Sequence, residues 1–298
     1  MNRISHPWGR VRWISSSQAS CLAALCVDRF GLNMQYGVAR IMNLANGEFL
    51  VLGALAAFWI FVADSISPIL TMLIVAPLAF FGNWVIYKAL LMPLVRRAKN
   101  KGQLEVDSIL ATFGMSFALV GIMVSIHGEY FTYSYLAEPF EIVGETFALN
   151  RIVAFCFAVL IGVALWLWLF FTRPGMAMRA VSVSTEASGL VGINVQKMSA
   201  LAFALGGAVT TMGGTLISTF ITLDASVGVI FTMKALIIII MGGVGDIRGA
   251  IVAALILGLV ETTVARLIDP GLTLAAAYAI FVLVLLFRPQ GLFGRKPT

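Results

Sequence analysis

A chain of 298 residues that is 60% hydrophobic and only 11% charged, with a mean hydropathy of +0.97, cannot be a soluble globular domain, where about a quarter of residues carry charge. Its net charge of +6 falls in short clusters that flank apolar runs, not in a stripe interleaved with aromatics, so nucleic acid is excluded as a partner. The apolar runs continue for about twenty residues instead of alternating over ten, which predicts an all-α polytopic bundle in a lipid bilayer and excludes an outer-membrane barrel.

Residues 1–30 form an atypical N-terminal segment. Arg3, Arg10 and Arg12 precede a short apolar stretch, Ala19 to Val27, of signal-peptide dimensions, but Asp28 and Arg29 follow with no small-residue cleavage site. A degenerate first helix, an upstream start and an interfacial segment all remain compatible with it. From Ile41 onward the pattern predicts eight clear spans, at about 45–63, 68–92, 108–127, 151–172, 198–219, 227–243, 247–267 and 273–287. Arg96, Arg97, Lys99 and Lys101 form one basic cluster, Arg173, Arg179 and Lys197 a second, and Arg288, Arg295 and Lys296 a third. The positive-inside rule places all three, with the C-terminus, in the cytoplasm. The connection at 128–150 carries Glu129, Glu138, Glu141 and Glu145 and is predicted outside. These sides alternate correctly across every clear span.

Between two long apolar runs lies a polar island, Thr172 to Lys197. Pro174 and Gly175 are predicted to stop the preceding helix. Ser184 and Thr185 offer capping oxygens and Glu186 a first-turn acid for a short helix over about 186–190, which Gly192 and Asn194 would end. These residues alone suit either a connecting loop or a functional element. The following apolar run carries Gly206, Gly207, Gly213 and Gly214, which predicts close helix packing.

No nucleophile elbow, zinc-protease pair or phosphate-binding loop occurs, so the chain is not itself an enzyme, and energy must come from another subunit or a gradient. Cys21, Cys26 and Cys156 have no metal-ligand or redox spacing; neither a cofactor nor a metal is expected. The informative polar residues are those within apolar runs. Asn43, Asn46 and Glu48 cluster at a helix entry and could line a substrate path or simply cap the helix. Lys234 and Glu261 lie about 16 and 24 Å from the turn near Gly245 at 1.5 Å per residue, on adjacent antiparallel helices, where they could meet a substrate or each other. Thr262 and Thr263 could add hydroxyl contacts.

Glu186-Ala-Ser-x-x-x-Gly192 resembles the E-A-A-x-x-x-G signature of ABC importer permeases. Arg179-Ala-Val181, Tyr36-Gly-Val-Ala-Arg-Ile-Met-Asn-Leu-Ala-Asn-Gly-Glu48, Met241-Gly-Gly-Val-Gly-Asp-Ile-Arg-Gly-Ala250 and Arg288-Pro-Gln-Gly-Leu-Phe-Gly294 resemble the branched-chain amino-acid permeases within that group. The family usually shows a histidine where this chain has Asn46. The resemblance implies a transmembrane permease domain over residues 31–298, with a cytoplasmic coupling loop at 173–197. In that loop Arg179, Glu186, Ala187, Ser188 and Gly192 would transmit ATP-driven closure. It further implies import of leucine, isoleucine and valine, or of related amino acids, amides or urea, across a bacterial inner membrane. The implied partners are a second homologous permease, two cytoplasmic ATPase subunits and a periplasmic binding protein. The rival reading is a gradient-driven secondary transporter or channel, for which Glu48 and Glu261 are the available membrane carboxylates.

Overall fold

The computed structural model describes residues 31–293 except positions 65, 99, 129, 132–134, 136–138, 143–144 and 244–246. The doubtful first span within residues 1–30 lies outside the described residues, as do Lys99, Glu129, Glu138, Arg295 and Lys296 and the side chains of Glu141 and Glu145.

The chain opens with α1 (31–39) and α2 (Asn46–Asp64). Ser67 then caps α3 (Pro68–Ile86), accepting from the Leu70 N–H. This helix runs through a π-helical segment, Tyr87–Leu91, into α4 (Met92–Arg97). The widened turn lies immediately before Pro93, which has no N–H to give an α-helical ladder. Next come α5 (Lys101–His127), strand β1 (Tyr130–Phe131), the hairpin β2 (Pro139–Ile142) and β3 (Glu145–Ala148), and α6 (Leu149–Phe171). The polar island forms α7 (Arg173–Val183) and α8 (Thr185–Leu190). The remainder is α9 (Val195–Ile217), β4 (Leu223–Asp224), α10 (Val227–Gly242), α11 (Ile247–Leu267), a 3₁₀ turn (Pro270–Leu272) and α12 (Thr273–Phe287).

Among the described residues, seven helices are long and apolar enough to cross a bilayer, against the eight spans expected. The last of the seven joins the 3₁₀ turn to α12, 18 residues over Pro270–Phe287, whereas α10 is apolar but 16 residues long, about 24 Å. The island also differs from expectation. Pro174 does not leave a loop behind it, because in the first turn of α7 its missing N–H costs nothing, and the Thr172 hydroxyl caps the new helix by accepting from Gly175 N–H. Likewise Asn194 does not end α8 but starts α9, its side chain accepting from Lys197 N–H.

The most enclosed span is α9, with 83% of its most apolar 18-residue stretch buried within the chain, against 6% over Pro270–Phe287. Small residues put α9 at the centre. Between apolar helices in lipid, packing replaces the hydrophobic drive, and glycines allow backbones to approach. Gly206 lies against Gly31 of α1, Gly207 against Asn83 of α3, and Gly214 against Leu50 of α2. Gly53 of α2 meets Thr211 in return.

These contacts also give directions. Along α1, Gly31 meets Gly206 and Thr210, Gln35 reaches Phe203, and Ala39 clusters with Ala200, so α1 is antiparallel to α9. Along α2, Asn46 meets Thr210 and Leu50 meets Gly214, so α2 is parallel to it. The chain therefore reverses within residues 40–45, inside the bundle. At one end, β1 and β4 pair antiparallel, Tyr130 opposite Asp224 and Phe131 opposite Leu223, which ties the exit of α5 to the α9–α10 connection. Elsewhere the final segment is tied to the end of α10: Leu292 and Phe293 donate their N–H groups to the Met241 and Gly242 carbonyls at 2.8 and 3.2 Å.

Candidate functional site at a buried helix break

Between the Arg40 N–H, which closes α1, and the Ala45 carbonyl, which accepts from Phe49 N–H, the reversal at 40–45 lies outside the helices, and in a bilayer such backbone must be satisfied by the protein itself. The side chains around it do this. Arg40 takes a left-handed conformation, φ 56°, after its N–H closes α1 on the Tyr36 carbonyl. The Leu44 N–H donates to the Thr112 hydroxyl of α5 at 3.1 Å, and Thr112 lies 2.8 Å from the Ser108 carbonyl to which it donates. Asn43 accepts from the Ala45 N–H and donates its amide to Gln35 Oε1 at 3.0 Å; Gln35 in turn donates to the Phe203 carbonyl.

The start of α2 continues the network. Thr210 of α9 donates to Asn46 Oδ1 at 3.1 Å, and the Gly47 N–H donates to Thr232 of α10 at 2.7 Å. Glu48 is fully buried and accepts from the Ser116 hydroxyl at 2.6 Å. Its other carboxyl oxygen has no hydrogen-bond partner among the described residues and lies over Gly228, where a Cβ would collide with it. Thus Gly228 is required by the carboxyl group, and Gly47 by the Gly228 carbonyl that it touches. Ser116 stands about 22 Å from the start of α5 and about 16 Å from its end at 1.5 Å per residue, which puts the cluster near mid-membrane.

Asn43, Asn46 and Glu48 are therefore brought together, joined by Gln35, Thr112, Ser116, Thr210 and Thr232, which the motif reading passed over. The signal for these five was present: each is a polar residue inside an apolar helix. Asn83 belongs to the same class. It is buried against Gly207 and donates to the Ala79 carbonyl of its own helix.

Lys234 and Glu261 meet each other, Nζ lying 3.0 Å from Oε1 and 3.1 Å from Oε2 across the α10–α11 interface. They do not join the mid-membrane cluster. Lys234 is two residues beyond Thr232, hence about 200° around the helix from the side chain that reaches α2. The Thr262 and Thr263 hydroxyls donate to the Gly258 and Leu259 carbonyls of their own helix, so their protons are not directed to a ligand.

The third polar region is α8. Ser184 ends α7 through its N–H and starts α8 through its hydroxyl, which accepts from Ala187 N–H at 3.2 Å. The far end closes with Gly192 at φ 80°, the Ile193 N–H on the Ser188 carbonyl and the Gly192 N–H on that of Gly189, the paired bonds of a Schellman turn. Ser188 is buried, whereas Glu186, Ala187 and Gly192 are exposed and Leu190 and Val191 stand 90% and 77% exposed. Arg179 is held back from this tip, its guanidinium 4.1 Å from the ring centre of Phe170. A Cβ at Gly192 would stand in open space, so glycine is needed there for its backbone conformation and not for a close approach within this chain.

A buried break between helices near mid-membrane, inside a bundle of apolar spans, is the arrangement of a membrane transporter. More narrowly, the chain belongs to the family described as branched-chain amino acid transport system, permease component, which matches residues 22–287. The high-affinity branched-chain amino acid transport system permease protein LivH of Salmonella typhimurium is 26% identical over 275 residues, 89% of each chain. The corresponding protein BraD of Pseudomonas aeruginosa is 26% identical over 276 residues, 89% of this chain and 90% of its own. The ribose import permease protein RbsC of Haemophilus influenzae is 25% identical over 202 residues, 64% of this chain and 62% of its own. No solved structure matches.

Proposed function

We propose that this chain is the membrane permease of an ATP-driven importer for branched-chain amino acids or closely related small amino acids. The observation that carries the proposal is the family match over residues 22–287, reinforced by near full-length likeness to permeases named for that cargo. Two permeases, two cytoplasmic ATPases and a periplasmic binding protein would make the working assembly, in a bacterial inner membrane with the C-terminus inside.

In this reading the permease domain spans residues 31–298, and the stretch 173–197 transmits force. The tip Glu186, Ala187, Leu190, Val191 and Gly192 offers an exposed, largely apolar surface to an ATPase groove; Ser188 and Arg179 hold that tip on α7 and α6. Alternating access would rearrange the helices around the break at 40–45, whose hydrogen-bonding side chains Asn43, Asn46 and Glu48 we place on the substrate path. Lys234 and Glu261 we assign instead to holding α10 against α11, because each charge is met by the other.

The test is reconstitution in vesicles with ATP inside and the loaded binding protein outside. Uptake of labelled leucine that requires both ATP and the binding protein is the expected result. Uptake driven by an ion gradient without either component would favour the secondary-transporter reading.

A further inference from the structure

A cavity of about 430 Å³ lies beneath α8, against the end of α1. Its walls come from the end of α1, the π-helical segment, the start of α5, the α7–α8 junction and the start of α9. The volume falls within the roughly 300–1,000 Å³ of small-molecule sites.

We propose that this cavity is a feedback site that binds the imported amino acid from the cytoplasmic side; this rests on the importer reading above. Three charged residues line it, Arg40, Glu105 and Glu186. One guanidinium and two carboxylates suit a zwitterion, the carboxylate of the ligand on Arg40 and its ammonium between the acids. Val38, Val95, Leu104, Val183 and Val195 form apolar wall, complementary to an aliphatic side chain and not to a sugar or a phosphate.

The walls are also unusual backbone. Arg40 is the one non-glycine residue at positive φ among the described residues, and Tyr87 opens the π turn. Such local irregularities persist where function maintains them. Glu105 is oriented by the Tyr36 hydroxyl, which donates to it at 3.3 Å.

Position gives the consequence. Ser184, Thr185 and Glu186 on the cavity wall are the cap and first turn of α8, whereas Arg40 and Glu105 belong to the bundle. A ligand held by both sides binds only the arrangement in which they face each other, and so biases α8 toward it. If α8 moves in each transport cycle, occupancy slows turnover as product accumulates.

The experiment uses the whole complex in vesicles, with ATP inside, loaded binding protein outside, and a lumen that is empty or preloaded with unlabelled leucine. ATP hydrolysis and initial influx of label are both read. The expected result is a several-fold fall in hydrolysis on preloading, and little fall in Glu105→Gln, whose empty-lumen rates match the parent. Equilibrium dialysis of labelled leucine against the complex without binding protein should show affinity weakened about tenfold or more in Glu105→Gln. Equal hydrolysis with empty and loaded lumens overturns the proposal, as does full inhibition of Glu105→Gln or its loss of empty-lumen transport. Absence of ATP-dependent uptake by the parent would instead strike the importer reading itself.

Discussion

Lys234 Nζ lies 3.0 Å from Glu261 Oε1, with the two side chains 16% and 15% exposed, and both carboxyl oxygens within 3.1 Å of the ammonium. Removing one member of such a pair leaves the other charge uncompensated, at a cost of about 3–5 kcal/mol. Lys234→Ala and Glu261→Ala are therefore expected to lower the amount of folded protein in the membrane. Lys234→Met combined with Glu261→Leu should restore both that amount and leucine uptake, because the apolar pair fills the same interface. A double variant that folds and assembles but cannot transport would return both residues to the substrate path.

The exposed tip of α8 gives the second prediction. A surface substitution away from caps and core usually changes stability by less than about 0.5 kcal/mol, and Leu190 is 90% exposed. Leu190→Asp and Glu186→Lys should thus leave membrane levels unchanged while reducing copurification of the ATPase and uptake. Gly192→Ala acts differently. At φ 80° a Cβ costs roughly 1–2 kcal/mol, which loosens the turn and lowers coupling even though no neighbour is struck. Normal ATPase capture and uptake in all three variants would remove α8 from the coupling role.

How far the sequence could be read depended on the scale of the signal. Long apolar runs located α2, α3, α5, α6, α9, α11 and α12, because a span of about twenty residues has few alternatives. The same rule placed α10 within a residue of its observed bounds, Val227–Gly242, but not its shortness as a span, since the helix starts against Glu48 at Gly228. Helix caps were partly legible. Ser184 behaves as its side chain suggests, while Thr172 caps a helix over residues that equally suit a loop, and Asn194 starts the expected α9 instead of ending α8. Least visible was the network around Glu48. Thr112, Ser116, Thr210 and Thr232 come from three other helices, and in sequence each is a single polar residue among apolar ones. Only the reversal at 40–45, set by tertiary packing, brings them to one place.

Orientation supplies a third prediction. Leu190 at the α8 tip and Asp269 after α11 are both exposed and, by the charge bias, belong on opposite sides of the membrane. Single cysteines at 190 and 269, placed in a cysteine-free background because Cys156 is itself exposed, should react with an impermeant thiol reagent from opposite sides. In intact cells only position 269 should label. Labelling at 190 and silence at 269 would invert the topology and separate α8 from any cytoplasmic ATPase.

The last prediction concerns Glu48 and Gly228. A Cβ at 228 would meet the Glu48 carboxyl group and, at 3.0 Å, the Glu48 backbone nitrogen. Helix propensity alone favours alanine over glycine by about 1 kcal/mol, so destabilisation by Gly228→Ala would have to arise from this collision. We expect it to lower thermal stability of the purified protein and to reduce transport. Glu48→Ala alone leaves the Ser116 hydroxyl without its 2.6 Å partner and opens a small void, each worth about 1–3 kcal/mol. Combined, the two substitutions should be less harmful than their sum, since the new methyl enters space that the carboxyl has vacated; a coupling of about 0.5–3 kcal/mol is the range for residues in contact. Glu48→Gln retains an oxygen to accept from Ser116 and should fold like the parent, so any loss of uptake in that variant reports on the carboxyl group's part in transport. Strict additivity of Gly228→Ala and Glu48→Ala in thermal unfolding would show that the two residues do not touch, and would displace Glu48 from the helix crossing on which the proposed path is built.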